Sequence, residues 1–154
     1  MIFFYNSLKM LRLFTLILCL GLTLASVPYK DCGKKEVTNV EITGCSGEPC
    51  VFVKGNKITL SVDFTANQDS DKAEFSLIAS HGGVDIDMST LIKDFDKNGC
   101  HSTTCPIKKG AKQSFKYDIV VPISVPDIEV DLKAQLKGNS DELFCGSIHS
   151  LIKS

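Results

Sequence analysis

Apolar and polar residues alternate with a period of two along much of the chain, a pattern typical of β-strands with one buried face. The clearest run covers 128–136, where five apolar side chains occupy every second position. A helix would distribute these side chains around its circumference, whereas a strand places them all on one side. We therefore predict a strand here, with its apolar face turned toward a core.

Shorter runs show the same alternation. They predict further strands over 58–64, 75–79, 84–88, 115–121 and 144–150, and an early strand containing Val40 and Ile42. Turn-forming pairs such as Gly82-Gly83 and Asn98-Gly99 separate the runs. The segment 88–95 fits either a loop or a single helical turn. About seven short strands with one apolar face each predict an all-β fold of two antiparallel sheets packed face to face.

The first 25 residues have the three parts of a secretory signal. Basic residues precede an apolar stretch of 12 residues over 13–24, and small residues lead to a cleavage point after Ala25. Twelve residues are fewer than the roughly 20 that a membrane-spanning helix needs. We predict a signal peptide over 1–25 and a single domain over 26–154. The product would be secreted, or alternatively endolysosomal.

The charge of the predicted mature chain excludes one class of partner. It carries 15 basic and 18 acidic residues, a net charge of −3, and has no basic patch that could hold nucleic acid. Lys108, Lys109 and Lys112 cluster within five residues and could add weak attraction to an anionic membrane. We expect a monomer with no nucleic-acid partner and only transient contact with a membrane or receptor.

Six cysteines remain after the leader, and their spacing is regular. They are Cys32, Cys45, Cys50, Cys100, Cys105 and Cys145. An even number in a small exported chain indicates disulfides rather than a redox or metal site. Six cysteines permit 15 connectivities. The spacing favours the local pairs 45–50 and 100–105, which leaves 32–145 to tie the first strand to the last.

No catalytic or metal-binding set can be assembled from the sequence. No Gly-x-Ser-x-Gly elbow is present. His101 lies between two cysteines, but a zinc site needs four ligands. Asp85 and Asp87 could bind calcium or act as acid and base, yet a solvated outer strand face explains them better. We expect no enzyme, no metal and no cofactor.

Five segments stand in the order and spacing of a known family's motifs. They are Lys30–Gly33, Gly44–Cys50, Gly55–Asn67, Asn98–Ile107 and Leu143–Cys145. Together they resemble the ML-domain lipid-recognition family, which includes the soluble Niemann–Pick type C sterol carrier and the group-two mite allergens. The resemblance implies an immunoglobulin-like β-sandwich with an apolar cavity between its sheets. It also implies the cysteine pairing favoured above.

The resemblance further implies a ligand-binding cavity lined by inward side chains of both sheets. The candidate residues are Leu60, Val62, Phe75, Leu77, Val84, Ile86, Met88, Tyr117, Ile119, Val121, Ile123, Val125, Ile128, Val130 and Leu132. Ile86 and Val125 stand at mouth positions where the sterol carrier has aromatic rings. These aliphatic side chains suit fatty acids or other flexible chains as well as sterols.

Two functions remain open from the sequence. The resemblance implies a carrier that binds a sterol, fatty acid or similar apolar ligand, for lipid transport or chemical signalling. The alternation alone favours a filled core, because a packed interior is the norm. The alternative is therefore an immunoglobulin-like protein-recognition module with a filled core, serving an innate immune or receptor partner.

Overall fold

Strands form most of the molecule. The computed structural model describes residues 26–154, and the predicted signal peptide lies outside them. The strands are β1 (Lys30–Asp31), β2 (Val37–Ile42), β3 (Cys50–Val53), β4 (Lys57–Thr65), β5 (Glu74–His81), β6 (Val84–Asp87), β7 (Lys112–Val120), β8 (Ile128–Lys137) and β9 (Glu142–Lys153). Two 3-10 turns cover Met88–Thr90 and Gly99–His101. Within the described residues, no helix has the length and apolar character to cross a membrane.

The strands form two facing sheets. One has six strands in the order β1-β9-β8-β5-β6, with β3 also paired to β9, and the other has the order β2-β4-β7. Neighbouring strands are antiparallel except β3, which runs parallel to β9. The predicted sandwich of two sheets is confirmed. The parallel pair was not anticipated, because β3 has only four residues and too short an alternation to stand out.

The strand β6 differs from its prediction in burial. The alternation of 84–88 indicated an apolar inner face, yet Val84 is 62% exposed and Ile86 is 44% exposed. β6 is the edge strand of the six-stranded sheet, whereas the opposite sheet has three strands within the described residues, and this arrangement leaves β6 exposed. The ambiguous segment that follows begins with the 3-10 turn Met88–Thr90, whose first residue is buried.

Aromatic rings fill one end of the sandwich. The ring centroid of Phe75 lies 4.7 Å from that of Phe115 and 4.7 Å from that of Tyr117. Phe95 stacks on Phe75 at 5.5 Å, and Phe144 meets Phe115 edge-on at 5.5 Å. Aromatic pairs at such distances contribute about 0.5–1.5 kcal/mol each beyond the area they bury. This aromatic cluster closes its end of the interior.

Three disulfides complete the framework. Cys32 is joined to Cys145, Cys45 to Cys50, and Cys100 to Cys105. Their Cα atoms are 4.9, 4.9 and 5.5 Å apart, within the usual range for disulfides. This is the pairing that the cysteine spacing favoured. The Cys45–Cys50 bridge has a further role, because it links the segment after β2 to the start of β3 and so connects the two sheets.

An ion cluster on the outer face of the six-stranded sheet joins β8 to β9. Nδ1 of His149 lies 2.9 Å from Oδ1 of Asp131, its cross-strand partner, and Nε2 lies 2.8 Å from Oε1 of Glu129. The hydrogen bonds to Asp131 and then to Glu129 raise the pKa of His149 above its ordinary value. Protonated His149 donates to both carboxylates, so the cluster is bonded at both ring nitrogens only when the imidazole is charged.

This cluster makes the stability of the fold depend on pH. A pKa raised in the folded state means that the stabilisation is fully present below the unfolded value of 6.5 and is lost as pH rises through the folded value. We expect the urea midpoint of the wild type to exceed that of His149→Gln by more at pH 5.5 than at pH 8. In an Asp131→Asn, Glu129→Gln background, the same substitution should show no such pH dependence. An equal difference at both pH values in the native background would contradict this assignment.

Candidate functional site

An apolar cavity lies between the sheets beyond the aromatic cluster. Its volume is about 60 Å³, enough for a few water-sized groups, and it is partly open to solvent. All 20 of its lining residues are uncharged. Both sheets contribute, with Leu60 and Val62 of β4 on one side and Leu132 and Ile148 on the other.

Small residues in the centre of the six-stranded sheet explain why space remains. Ala134 of β8 and Gly146 of β9 are cross-strand partners, and both line the cavity. A methyl group placed on Gly146 would meet only the Tyr29 ring, at 3.9 Å. The interior therefore has two parts: the aromatic cluster fills one end, and mostly aliphatic side chains, with the small residues Ala134 and Gly146 among them, surround a void in the other.

Seven of the fifteen predicted ligand-binding residues lie on the cavity wall. They are Leu60, Val62, Leu77, Met88, Ile119, Val121 and Leu132. The strands β4, β5, β7 and β8 present their inner faces to this space. Met88 reaches it from the 3-10 turn after β6, where it is 4% exposed although the strand before it is open to solvent.

Three other predicted residues are buried but lie away from the wall. Phe75 and Tyr117 belong to the aromatic cluster, where Phe75 is wholly buried. Val130 is buried in the core of the six-stranded sheet without reaching the cavity. Alternation identifies an inward side chain, but whether that side chain meets a ring or a void depends on its position along the strand and on the opposite sheet.

The remaining five predicted residues surround the cavity end without lining it. Val84 and Ile86 are exposed on β6, and Ile123 is 80% exposed in the loop after β7. Val125 and Ile128 are half-buried against the core. The structure therefore places Ile86 and Val125, the proposed mouth residues, outside the wall in this conformation.

Thirteen lining residues were absent from the prediction. They are Tyr29, Val37, Val40, Ile42, Phe52, Ile58, Ile92, Pro122, Ala134, Phe144, Gly146, Ile148 and Ile152. Most belong to β2 and β9. The alternation predicts these strands but does not indicate that their side chains line a cavity. Phe52 belongs to β3, the strand that the sequence pattern did not indicate.

Apolar side chains continue from the wall to the surface. Leu91 is 41% exposed next to the lining residue Ile92, and Ile123 follows the lining residue Pro122. The lysine cluster, by contrast, is distant from this opening. Lys112 begins β7 and Val120 ends it, eight residues later, a separation of roughly 27 Å along an antiparallel strand. Any membrane attraction through these lysines acts at the end of the sandwich away from the cavity.

The residues considered for metal binding have other partners. Cys100 and Cys105 form a disulfide, and Nδ1 of His101 lies 2.6 Å from Oδ2 of Asp96. This hydrogen bond is the main cause that lowers the pKa of Asp96. The backbone N–H of Asp96 donates to the Tyr117 hydroxyl at 2.6 Å, which ties the segment to β7. Among residues 26–154, no group of three or more histidine, cysteine or acidic side chains is placed to hold a metal ion.

Comparison with known proteins assigns the chain to a family. The model of the ML domain family matches residues 26–151, nearly all of the described chain. The chain belongs to the ML domain family. The resemblance carried by the five sequence segments is thereby confirmed.

Relatives of this ML domain include several mite allergens. The group 2 allergen Lep d 2 of Lepidoglyphus destructor is 36% identical over 146 residues, which cover 95% of this chain and 99% of that protein. The group 2 allergen Gly d 2.02 of Glycyphagus domesticus is 42% identical over 118 residues, which cover 77% and 91%. The similarity therefore extends over nearly the whole length of these relatives.

Solved structures share the fold of this ML domain at lower identity. A Niemann–Pick type C2 protein from Japanese carpenter ant superposes with a TM-score of 0.69 at 20% identity, covering 82% of this chain and 99% of that one. Chicken MD-1, solved in complex with lipid IVa, superposes with a TM-score of 0.51 at 16% identity, covering 79% and 85%. Both comparisons support the sandwich architecture.

Proposed function

We propose that this ML domain binds a lipid between its two sheets and carries it outside the cell. The observation that supports this most is the uncharged cavity enclosed by both sheets in a chain of the ML domain family. Concave apolar sites are the usual location for small-molecule binding. The structural neighbour MD-1 was solved in complex with lipid IVa, which supports the proposal.

Desolvation would supply most of the affinity. Burying roughly 400 Å² of apolar ligand surface is worth about 10 kcal/mol at ~25 cal/mol per Å². Loss of translational freedom and ordering of side chains offset part of this gain and leave an affinity in the micromolar range or tighter. The uncharged wall fits this balance, because it leaves no ion to be stripped of water when the ligand enters.

The sheets would have to separate to admit such a ligand, because a cavity of about 60 Å³ is smaller than a lipid. The Cys45–Cys50 bridge connects the sheets on the side of β2 and β3, and the aromatic cluster packs the far end. On the opposite side, the wall consists of Val121 and Pro122 after β7 and of Met88 and Ile92. We propose that the ligand enters there.

The ligand class, the compartment and the oligomeric state are proposed from further features of the structure. Aliphatic side chains around the opening suit flexible acyl chains as well as sterols, in a role in lipid transport or chemical signalling. Three disulfides favour an oxidising compartment, which supports a secreted protein and also allows an endolysosomal one. We propose that the carrier acts as a monomer and releases its ligand during transient contact with a membrane or receptor.

Titration of the purified protein with a fluorescent fatty acid and with a fluorescent sterol tests the function. We expect saturable binding of at least one probe at one molecule per chain, in the micromolar range or tighter, because the wall can replace water around an apolar chain. Protein with reduced and alkylated cysteines, unfolded in urea, is the control and should not bind. Failure of folded protein to bind either probe, with no lipid released by solvent extraction, would favour the protein-recognition alternative.

A further inference from the structure

A buried hydroxyl lies within the apolar interior. Ser150 of β9 is wholly inaccessible to solvent. Its Oγ has no hydrogen-bond partner among residues 26–154. A buried polar group without a partner destabilises a fold, and such groups are rare in native proteins. A serine in this position therefore calls for a partner that is not part of the described chain.

Ser150 occupies the inner face of β9, between two residues of the cavity wall. Side chains two apart on a strand point the same way, and Ile148 and Ile152 both line the cavity. The cross-strand partners of Ser150 are Val130 on β8 and Cys50 on β3. A valine side chain cannot accept a hydrogen bond, and a disulfide sulfur accepts one only weakly. Within the described residues, the hydroxyl is thus isolated among apolar side chains next to the cavity.

We propose that the Ser150 hydroxyl hydrogen-bonds an uncharged oxygen of the lipid, an inference that rests on the proposed function. In the present conformation Ser150 lies between wall residues without reaching the cavity itself. When the sheets separate to admit a lipid, the cavity extends toward Ser150. A hydroxyl, carbonyl or ester oxygen on the buried part of the ligand then gives Ser150 the partner that the protein lacks.

The wall determines the charge of that ligand group. Among residues 26–154, no charged side chain lines the cavity. Tyr29 is the lining residue with a polar side-chain group, and its hydroxyl already donates to the carbonyl oxygen of Val37 at 3.2 Å. A carboxylate buried beside Ser150 would lack a cation, which is costly in an apolar site. The surroundings of Ser150 therefore select alcohols, ketones or esters, whereas a fatty acid binds with its carboxylate at the opening.

Displacement of the fluorescent probe by 1-dodecanol and by dodecane tests this inference, because the two differ in a single hydroxyl. In Ser150→Ala we expect the affinity for dodecanol to fall about three- to tenfold relative to wild type, and that for dodecane to stay within twofold. The matched control is Ser147→Ala on the same strand, at an outward and half-exposed position, which should leave both affinities unchanged.

The melting temperature of the unliganded protein provides a second readout. Because Ser150→Ala removes an unpaired hydroxyl, it should leave this temperature unchanged or raise it. A lower melting temperature together with an unchanged ratio of the two affinities would show that the hydroxyl has a structural partner, such as water, and would overturn the inference. An unchanged ratio alone would also overturn it, although the proposed function would survive. If wild-type protein binds neither the probe nor either competitor, the proposed function itself fails.

Discussion

Replacing Cys32 and Cys145 together by alanine is expected to lower the free energy of unfolding by about 4.8 kcal/mol. This bridge closes a loop with a sequence separation of 113 residues, and the chain-entropy model gives that value for the lost constraint on the unfolded chain. Domains of this size are stable by only about 5–15 kcal/mol. Urea unfolding of the double variant, followed by circular dichroism, measures the loss.

The short bridges provide the matched control for this prediction. Cys100 and Cys105 have a sequence separation of only 5, so the same model gives about 2 kcal/mol for their replacement by alanine. The long bridge should therefore cost more than twice as much as the short one. Equal losses in the two double variants would show that local packing, and not loop closure, determines the contribution of these disulfides.

Filling the cavity is expected to reduce lipid binding more than tenfold while the fold remains intact. In the combined variant Ala134→Leu, Gly146→Ala, the added groups enter the cavity from two neighbouring positions of its wall. Filling a void of about 60 Å³ recovers up to about 1.4 kcal/mol at ~24 cal/mol per Å³, and strain from tight packing offsets part of it. Titration with the fluorescent probe and a urea melt measure the two effects.

Lys133→Leu is the control for the filled cavity, because Lys133 neighbours Ala134 on β8 but its side chain projects from the other face of the sheet. This variant should bind the probe like wild type. Loss of binding in the control, or full binding by the filled variant, would place the ligand site somewhere other than between the sheets.

The period-two alternation is sufficient to predict most of the strands. The run over 128–136 became β8, and the run over 58–64 became the centre of β4, each with its apolar side chains inward. Such strands can be predicted because alternation follows directly from the geometry of a strand with one buried face. Burial at the sheet edge could not be predicted in this way. Val84 and Ile86 alternate like core residues, but they lie on the edge strand β6 and remain largely exposed.

The cavity was harder to predict than the strands that form it. Phe75 and Leu77 are two residues apart on β5 and both point inward, yet Phe75 packs among rings and Leu77 lines the void. The difference depends on which residues of the opposite sheet they face, and that pairing is not encoded in either strand alone. Ala134 and Gly146, 12 residues apart in the chain, leave space only because the β8–β9 register places them side by side.

The outer edge of β9 is paired with both β1 and β3, and this affects how the protein can associate at high concentration. β1 pairs with Gly146 and Ser147, and β3 pairs with 150–153, so most of the outer backbone groups of the longest strand are already satisfied. The opposite border of that sheet is β6, which has only four residues. Short or covered borders give a second molecule little backbone to pair with. We therefore expect little tendency to polymerise through this sheet into amyloid-like aggregates, even at high protein concentration.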